Sequence, residues 1–522
     1  MRSSPTPIAH PPRWLAALWL SWLCQAALAG AFVDAGRPTP AAWQATEVLA
    51  DAEAEGLRPQ DYDAMPLARA VAAAAQGPAL DGAQSARLDA ALTTALHRYL
   101  ADLHTGRVDP RQIQADFTAS PPQPFDPDAA LQAALAAPRL ADALRAAAPR
   151  VPLYASLRTA LAQYRALADH PAWAAPLPPL PNNRKLEPGQ AWAGLPQLTQ
   201  RLVALSDLPE GTQPAPVYDE VLQGGVKAFQ QRHALAADGV VGKGTLAQLE
   251  VAPAQRARQI TLAMEHLRWT PLQQAPRMVA VNLPEFVLRA YEVRDGSPAV
   301  SLSMKVIVGK SLKTHTPLFD EPMRFIEFSP YWNVPPSIAR EETVPRLRRD
   351  SAYFTQQGFE FVDGSGQAAA TLSDEHLNAV LSGQMRLRQR PGPRNALGDI
   401  KFVFPNHDNI YLHHTPSPQL FARERRDFSH GCIRVEDPVA LARFVLQDDP
   451  AWTPERIREA MGRGQSHTVR LPRPVPVVLA YSTTVVKDGR PHFFADLYGL
   501  DLRLEQALRR NALARQAPRQ AQ

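Results

Sequence analysis

Leucines recur at every fourth position from Leu88 through Leu92 and Leu96 to Leu100, which places them on one face of a helix. The alanine- and leucine-rich stretch around them, residues 36–190, keeps helical spacing and predicts a helical scaffold. Gly106 ends the leucine helix, and Asp109-Pro110, a capping residue followed by proline at a first helical position, predicts a restart. The proline-rich residues 176–183 read as an extended linker. Residues 192–251 then predict a compact three-helix unit. Leu195, Leu198, Leu202 and Leu205 form one stripe, and Leu222, Val226 and Phe229 a second. Asp238-Gly239 and Gly242 break the chain before a short third helix carrying Thr245, Leu246 and Leu249.

A helix over residues 255–269 precedes a change of period. Residues 278–282, 286–293, 300–308, 323–328, 401–404, 409–413, 475–486 and 492–498 are rich in Val, Phe and Ile with partial alternation and predict strands. Together they predict a mostly β domain over about 276–505, followed by a C-terminal tail, 506–522. One insertion interrupts it: residues 335–387 are charged and largely helical in pattern, a candidate lid or a plain surface excursion. The fold class is therefore multidomain α+β: a helical scaffold, a three-helix unit, and a mostly β domain with a helical insertion.

The N-terminus adds a compartment. Arg2 and Arg13 precede or flank an apolar run, Trp14 to Leu23, and Ala27-Leu28-Ala29 offers small residues where a signal peptidase reads, so residues 1–29 read as a cleaved export signal. The alternative is an uncleaved membrane anchor, against which the run is short of the ~20 residues a span needs. Removing residues 1–29 takes away two arginines and no acid, leaving 54 basic residues against 51 acidic ones. A net charge near +3 is no footprint for nucleic acid. Of the two cysteines, Cys24 falls inside the signal, so the mature chain keeps Cys432 alone. A lone thiol in an oxidising compartment is a liability unless it has a task.

Residues 410–435, IYLHHTPSPQLFARERRDFSHGCIRV, carry the chemistry. A strand ends in His413, and 19 residues later Cys432 follows Ser429-His430-Gly431. A thiol of pKa ~8.5 is mostly protonated at neutral pH, and an adjacent imidazole can take its proton and hold an ion pair with the thiolate. Gly431 permits the tight turn that aims N–H groups at a developing oxyanion. Arg434 brings positive charge, either to depress the thiol pKa or to grip a substrate carboxylate. A zinc site from His413, His414, His430 and Cys432 is the competing reading, and their spacing matches no common structural zinc pattern.

The motif Ser-His-Gly-Cys-Ile-Arg behind a strand-borne histidine closely resembles the signature of the L,D-transpeptidases, the YkuD-type catalytic domain. The blocks NLPEFVLRAYE, SMKVIVGK, TPLFDEPMRFIEFSPYWNVPPSI, RLRQRPGPRNALGDIKFVFPN and IYLHHTP resemble the large multidomain periplasmic subclass with a scaffold, a peptidoglycan-binding domain and a capping insertion. VKAFQQRHALAADGVVGKGTLAQL resembles the three-helix peptidoglycan-binding domain, whose fold can also persist as a spacer.

The resemblance implies Cys432 as nucleophile, His413 as general base, and Gly431 and Cys432 as oxyanion-hole amides. It places Tyr411, His430, Arg434 and Ser429 near substrate, and Tyr331 and Trp332 beside the cleft under the cap. Arg434 fits the large subclass; His414 stands where relatives often carry a small or acidic residue, and a backbone carbonyl would suffice to orient His413. The implied reaction is 3→3 cross-linking of peptidoglycan tetrapeptide stems through a Cys432 thioester, with no metal or cofactor, acylation by carbapenems, and a site in the periplasm of a Gram-negative bacterium. Association with other wall-synthesis proteins is a further expectation. Water or a lipoprotein lysine could instead accept the acyl group. The rival of a different class is a wall-binding protein without catalysis.

Overall fold

The computed structural model describes residues 30–516 apart from 116, 118–124, 182–183, 270–274, 295–296 and 312–313. The expected signal, residues 1–29, lies outside the described residues. Among those described, no helix is long and apolar enough to cross a membrane.

The N-terminal part is helical. Its longest helix, Gly82–Thr105, starts at a capping box in which Asp81 accepts from the Gln84 amide and Gln84 returns the bond. Leu92, Leu96 and Leu100 are buried in a core shared with helices Pro40–Ala50, Ala64–Gln76 and Pro152–Ala166. The expected restart at Asp109 lasts only one 3-10 turn, Pro110–Gln112. The expected linker does not hang free: Leu177 and Leu180 pack into the next core, and the Trp192 indole N–H donates to the Pro179 carbonyl at 2.8 Å. The three-helix unit forms as Leu195–Ala204, Glu220–Arg232 and Lys243–Glu250.

This unit is tied to a C-terminal hairpin, Thr484–Lys487 with Arg490–Phe493, through a buried ion-pair cluster. Asp207, with no side-chain exposure, accepts from Arg232 Nε at 2.9 Å and from Arg490 Nη2 at 2.6 Å. Removing one partner of such a set strands a buried charge, so Asp207→Ala is expected to cost about 3–5 kcal/mol, read by denaturant unfolding, without touching the thiol chemistry.

The helix Pro253–Arg268 is the hub of the molecule. It is buried on nearly every side, giving Leu262 to the β core and Ala257, Ile260, Ala263, Met264 and Leu267 to the helical core. Its buried charges are paired: Glu265 with Arg268 of the same helix at 2.6 Å, and with Arg107, beyond the scaffold helix, at 3.1 Å.

The C-terminal half is a nine-stranded sheet: β1 Arg277–Asn282, β2 Val287–Arg294, β3 Ser297–Gly309, β4 Phe319–Phe328, β5 Ile400–Val403, β6 Leu412–His413, β7 Asp427–Ser429, β8 Ile433–Val435 and β9 His467–Ala480. Their order is β7-β3-β8-β6-β5-β4-β9-β1-β2, and an additional β2–β3 pairing closes the sheet on itself. The long β3 makes this possible, pairing with β2 along its first part and with β8 and β7 along its last. The short strands β7 and β8, which hold the cysteine loop between them, were not among the expected ones. The expected strand 475–486 breaks after Ala480, and the hairpin begins at Thr484.

Two expectations need correction. The insertion is not only helical: strands Trp332–Asn333, Arg386–Gln389, Phe359–Val362 and Ala368–Ala369 form a second, four-stranded sheet under its short helices, around Phe354, Phe361 and Leu387. Residues 506–516 are not a tail but the continuation of helix Leu500–Gln516, with Leu504, Ala507, Leu508 and Ala512 buried.

Candidate active site

The parallel pair β6–β8 builds the site. Leu412 lies opposite Ile433 and His413 opposite Arg434, and the Ile433 amide donates to the Tyr411 carbonyl at 3.0 Å. Alternation along each strand then puts Tyr411 and His413 on the same face as Cys432 and Arg434. Cys432 itself sits at the end of a turn, partly exposed.

The turn is held from below. The Ser429 hydroxyl donates to the Cys432 carbonyl at 2.6 Å and accepts from the Gly431 amide at 3.2 Å. The Thr316 hydroxyl donates to the Gly431 carbonyl at 2.7 Å. These bonds correct two expectations. Ser429 is buried, with its hydroxyl committed to the turn rather than to substrate. The Gly431 N–H is likewise engaged, which leaves the His430 and Cys432 amides as backbone donors of the turn without an acceptor among the described residues. What Gly431 supplies is its φ of +112°, a conformation that side-chain-bearing residues avoid. A Cβ there would also meet Ile410 Cδ1 at 3.1 Å. Gly431→Ala is expected to cost about 1–3 kcal/mol and to displace the thiol, seen as a fall in kcat larger than any change in KM.

His413 is buried, and its Nδ1 lies 2.5 Å from the His414 carbonyl oxygen. A carbonyl can only accept, so Nδ1 carries the proton and Nε2 the lone pair. The orienting partner is thus the backbone of residue 414. The His414 side chain turns the other way, to Asp399 at 3.4 Å. Burial, reinforced by the Arg434 charge, lowers the His413 pKa to about 3, against its backbone bonds to residues 414 and 397. The imidazole is therefore neutral at any working pH.

The thiol is neutral as well. Burial pushes the Cys432 pKa up; contacts with the Tyr411 backbone and hydroxyl and the charges of Lys401 and Arg434 oppose this without cancelling it. Sγ is directed at the Asn409 carbonyl oxygen, 3.6 Å away, and makes no hydrogen bond to His413. Asn409 adopts a φ of +53°, which asparagine tolerates better than most residues. The expected thiolate–imidazolium pair is not the resting arrangement. Alkylation of Cys432 by iodoacetamide is accordingly expected to rise with pH through a midpoint above the ~8.5 of a free thiol, with no step near 6.5.

Three more groups act on the sulfur, and a fourth links its turn to the cap. Burial, and then the neighbouring sulfur, push the Tyr411 phenol well above its ordinary value; its hydroxyl contacts both Cys432 and Trp332. Lys401, opposite His413 on β5, lies over the Tyr411 ring at 4.4 Å and pairs with Glu327 at 3.4 Å. Arg434 has its Nε buried without a hydrogen-bond partner. Its guanidinium enters no ion pair among the described residues and lies on the same strand face as the thiol, two residues on and close enough to feel its charge, so it has donors to spare for an anionic group. His430 points up to the cap, with Nε2 2.7 Å from Glu342 Oε1.

Glu342 sits on a π-helical turn, Ala339–Thr343, a geometry that often marks functional sites. Trp332 packs against the cap core, and Tyr331 lies beneath Arg388, whose guanidinium is 4.1 Å from the ring centre. Of the expected residues, Cys432, His413, Tyr411, Arg434, His430 and Trp332 are thus brought together, Tyr331 lies at the cap's edge, and Ser429 lies beneath. Lys401, Glu342 and Asn409 were not foreseen. Lys401 had a signal in its place on the strand facing His413, whereas Glu342 lies on the inserted cap, 88 residues before His430, and had none.

The model of the L,D-transpeptidase catalytic domain (YkuD) matches residues 276–457, that of the scaffold domain residues 27–161, and that of the "Putative peptidoglycan binding domain" residues 194–249. A "Putative L,D-transpeptidase" of Haemophilus influenzae is 30% identical over 257 residues, 49% of this chain and 51% of the relative. The chain thus matches about half the length of that curated relative. Among solved structures, a fused Zn-dependent amidase/peptidase/peptidoglycan-binding domain-containing protein of Clostridium acetobutylicum aligns over 27% of this chain and 69% of its own. At 14% identity and a TM-score of 0.12, that likeness carries no argument. Residues 276–457 thus match the L,D-transpeptidase catalytic domain (YkuD), in a chain whose other parts match a scaffold domain and a putative peptidoglycan-binding domain.

Proposed function

We propose that the protein is a peptidoglycan L,D-transpeptidase that forms 3→3 cross-links between stem peptides, with Cys432 as nucleophile. The observation that carries the reading is the constellation across β6 and β8: a thiol, a neutral imidazole with Nε2 unprotonated, and a half-buried guanidinium whose Nε has no partner, in a matching domain.

In the proposed first step, the Arg434 guanidinium attracts the terminal carboxylate of a tetrapeptide stem. The thiol proton passes to His413 Nε2 as Sγ bonds to the carbonyl carbon of the third residue. The Cys432 amide, and a donor from the cap or the substrate, meet the oxyanion. Collapse breaks the amide C–N bond, and D-alanine leaves with the proton returned by His413. The side-chain amine of a second stem then gives a proton to His413 and attacks the thioester. The C–S bond breaks, and the sulfur recovers the proton. With a thiol pKa above normal and an imidazole pKa near 3, proton transfer to His413 in the resting protein is uphill. Binding of the donor carboxylate beside the thiol, and the exclusion of water under the cap, would have to couple the transfer to C–S bond formation.

The exported mature chain, from residue 30 onward, would act in the periplasm, where the three-helix unit would hold it to the glycan. Carbapenems would acylate the same sulfur. The test is chromatography and mass spectrometry of muropeptides after incubating the protein with disaccharide-tetrapeptides. A dimer joined between third residues supports the reading, and tripeptide with no dimer would make water the acceptor.

A further inference from the structure

In a recess that shares no lining residue with the thiol site, four separate segments bring arginines together. Arg58 comes from the turn before Pro59–Tyr62, Arg107 from the residue after the Gly106 cap, Arg258 from the hub helix, and Arg509 and Arg515 from the C-terminal helix. The cavity they line is about 40 Å³, more than the ~10–15 Å³ needed for one water.

Their carboxylate partners are shared. Glu505 serves both Arg258, at 3.4 Å, and Arg509, at 2.9 Å. Glu265 serves Arg107 and Arg268. Asp102 meets Arg515 at 2.7 Å but also takes the Tyr62 hydroxyl at 2.9 Å. Asp61 is the one acid on the lining. Each guanidinium has five N–H groups, so these acids leave donors over.

One leftover donor is buried. Arg107 is 7% exposed, and its Nη2, although 3.1 Å from Glu265, is out of line for a hydrogen bond and finds no other acceptor among the described residues. The Asn511 amide donates to the Arg107 carbonyl at 2.9 Å and fixes this arginine against the C-terminal helix. Burial lowers the Arg258 pKa, and repulsion from Arg107 and Arg509 adds to it despite Glu505. Like charges are thus held together where a bound anion would relieve them.

The geometry points to a binding site for a phosphate-class oxyanion in this recess, joining the scaffold, the hub helix and the C-terminal helix. Forked guanidinium donors converging from several directions suit a tetrahedral, multiply charged oxyanion. The group is either free phosphate or the phosphodiester of a lipid headgroup.

Calorimetric titration of the protein with inorganic phosphate, and flotation with phosphatidylglycerol against phosphatidylcholine vesicles, test this and separate the two sources. The variants are Arg509→Gln, the double variant Arg258→Gln/Arg509→Gln, and a charge-matched control, Arg458→Gln/Arg463→Gln, on another helix. Phosphate binding that weakens about tenfold or more in the double variant, less in Arg509→Gln and not in the control, is the expected result. Flotation with phosphatidylglycerol alone that follows the same order, without binding of free phosphate, assigns the site to a headgroup. No binding of either ligand, or equal losses in the double variant and the control, overturns the inference. Thermal unfolding of each variant shows that the comparison is between folded proteins.

Discussion

Cys432→Ala is expected to lower acyl transfer by at least about four orders of magnitude while leaving the fold intact. The side chain is partly exposed, and the turn around it is held by backbone carbonyls and the Ser429 and Thr316 hydroxyls, none of which needs the sulfur. The loss should appear entirely in the chemical step. Binding of a tetrapeptide donor should change little, because Arg434 and the cap remain. Serine at this position is expected to fail nearly as completely: its hydroxyl would face the same neutral imidazole with a far higher pKa. The measurement is single-turnover release of D-alanine, alongside a thermal melt.

His413→Gln is the second large effect. A positioned general base contributes about 10²–10⁴-fold, and a loss of that order is expected in kcat, with KM nearly unchanged. The same substitution has a distinct signature in stability. The His413 pKa is about 3 in the folded protein against ~6.5 unfolded, so between those values the unfolded chain binds more protons. Stability from this residue is fully present above pH ~6.5 and is lost as pH falls toward 3, by up to roughly 4–5 kcal/mol. Denaturant unfolding at pH 7 and pH 4.5 should therefore show a smaller acid penalty in His413→Gln than in the parent. A variant that lost activity but kept the parent's acid penalty would show that the buried imidazole is not the group being titrated.

The chemistry was legible because it is local. Ser-His-Gly-Cys-Ile-Arg and the strand-borne His413 lie within a short stretch, and strand alternation alone predicts which of their side chains share a face. The helical stripes were legible for the same reason: Leu92, Leu96 and Leu100 carry their periodicity in one segment. What stayed hidden depends on partners far away in sequence. Arg256, Glu265 and Arg268 look like solvated charges on a helix, yet all three are buried, because Glu265 finds Arg107 and Arg268, while Arg256 bonds the Gln248 and Gln259 side chains. The end of the C-terminal helix reads as a tail in the sequence because its arginines mask the apolar set Leu504, Ala507, Leu508 and Ala512. The cap's sheet escaped because Phe359–Val362 is only four residues, too short for periodicity to separate from its helical flanks. Within the site, residue types were readable but hydrogen bonds were not. Nothing in the text of the motif says that Ser429 would occupy the Gly431 amide, or that the thiol would rest against Asn409 rather than His413.

The central claim is that Cys432 becomes acylated by a stem peptide. Mass spectrometry of the intact protein, acid-quenched during reaction with a disaccharide-tetrapeptide, tests it most directly. The expected result is a single adduct with the mass of the donor less D-alanine, mapped to Cys432 by peptide analysis and absent from Cys432→Ala. D-alanine release by Cys432→Ala at the parent's rate, or an adduct on another residue, would contradict it.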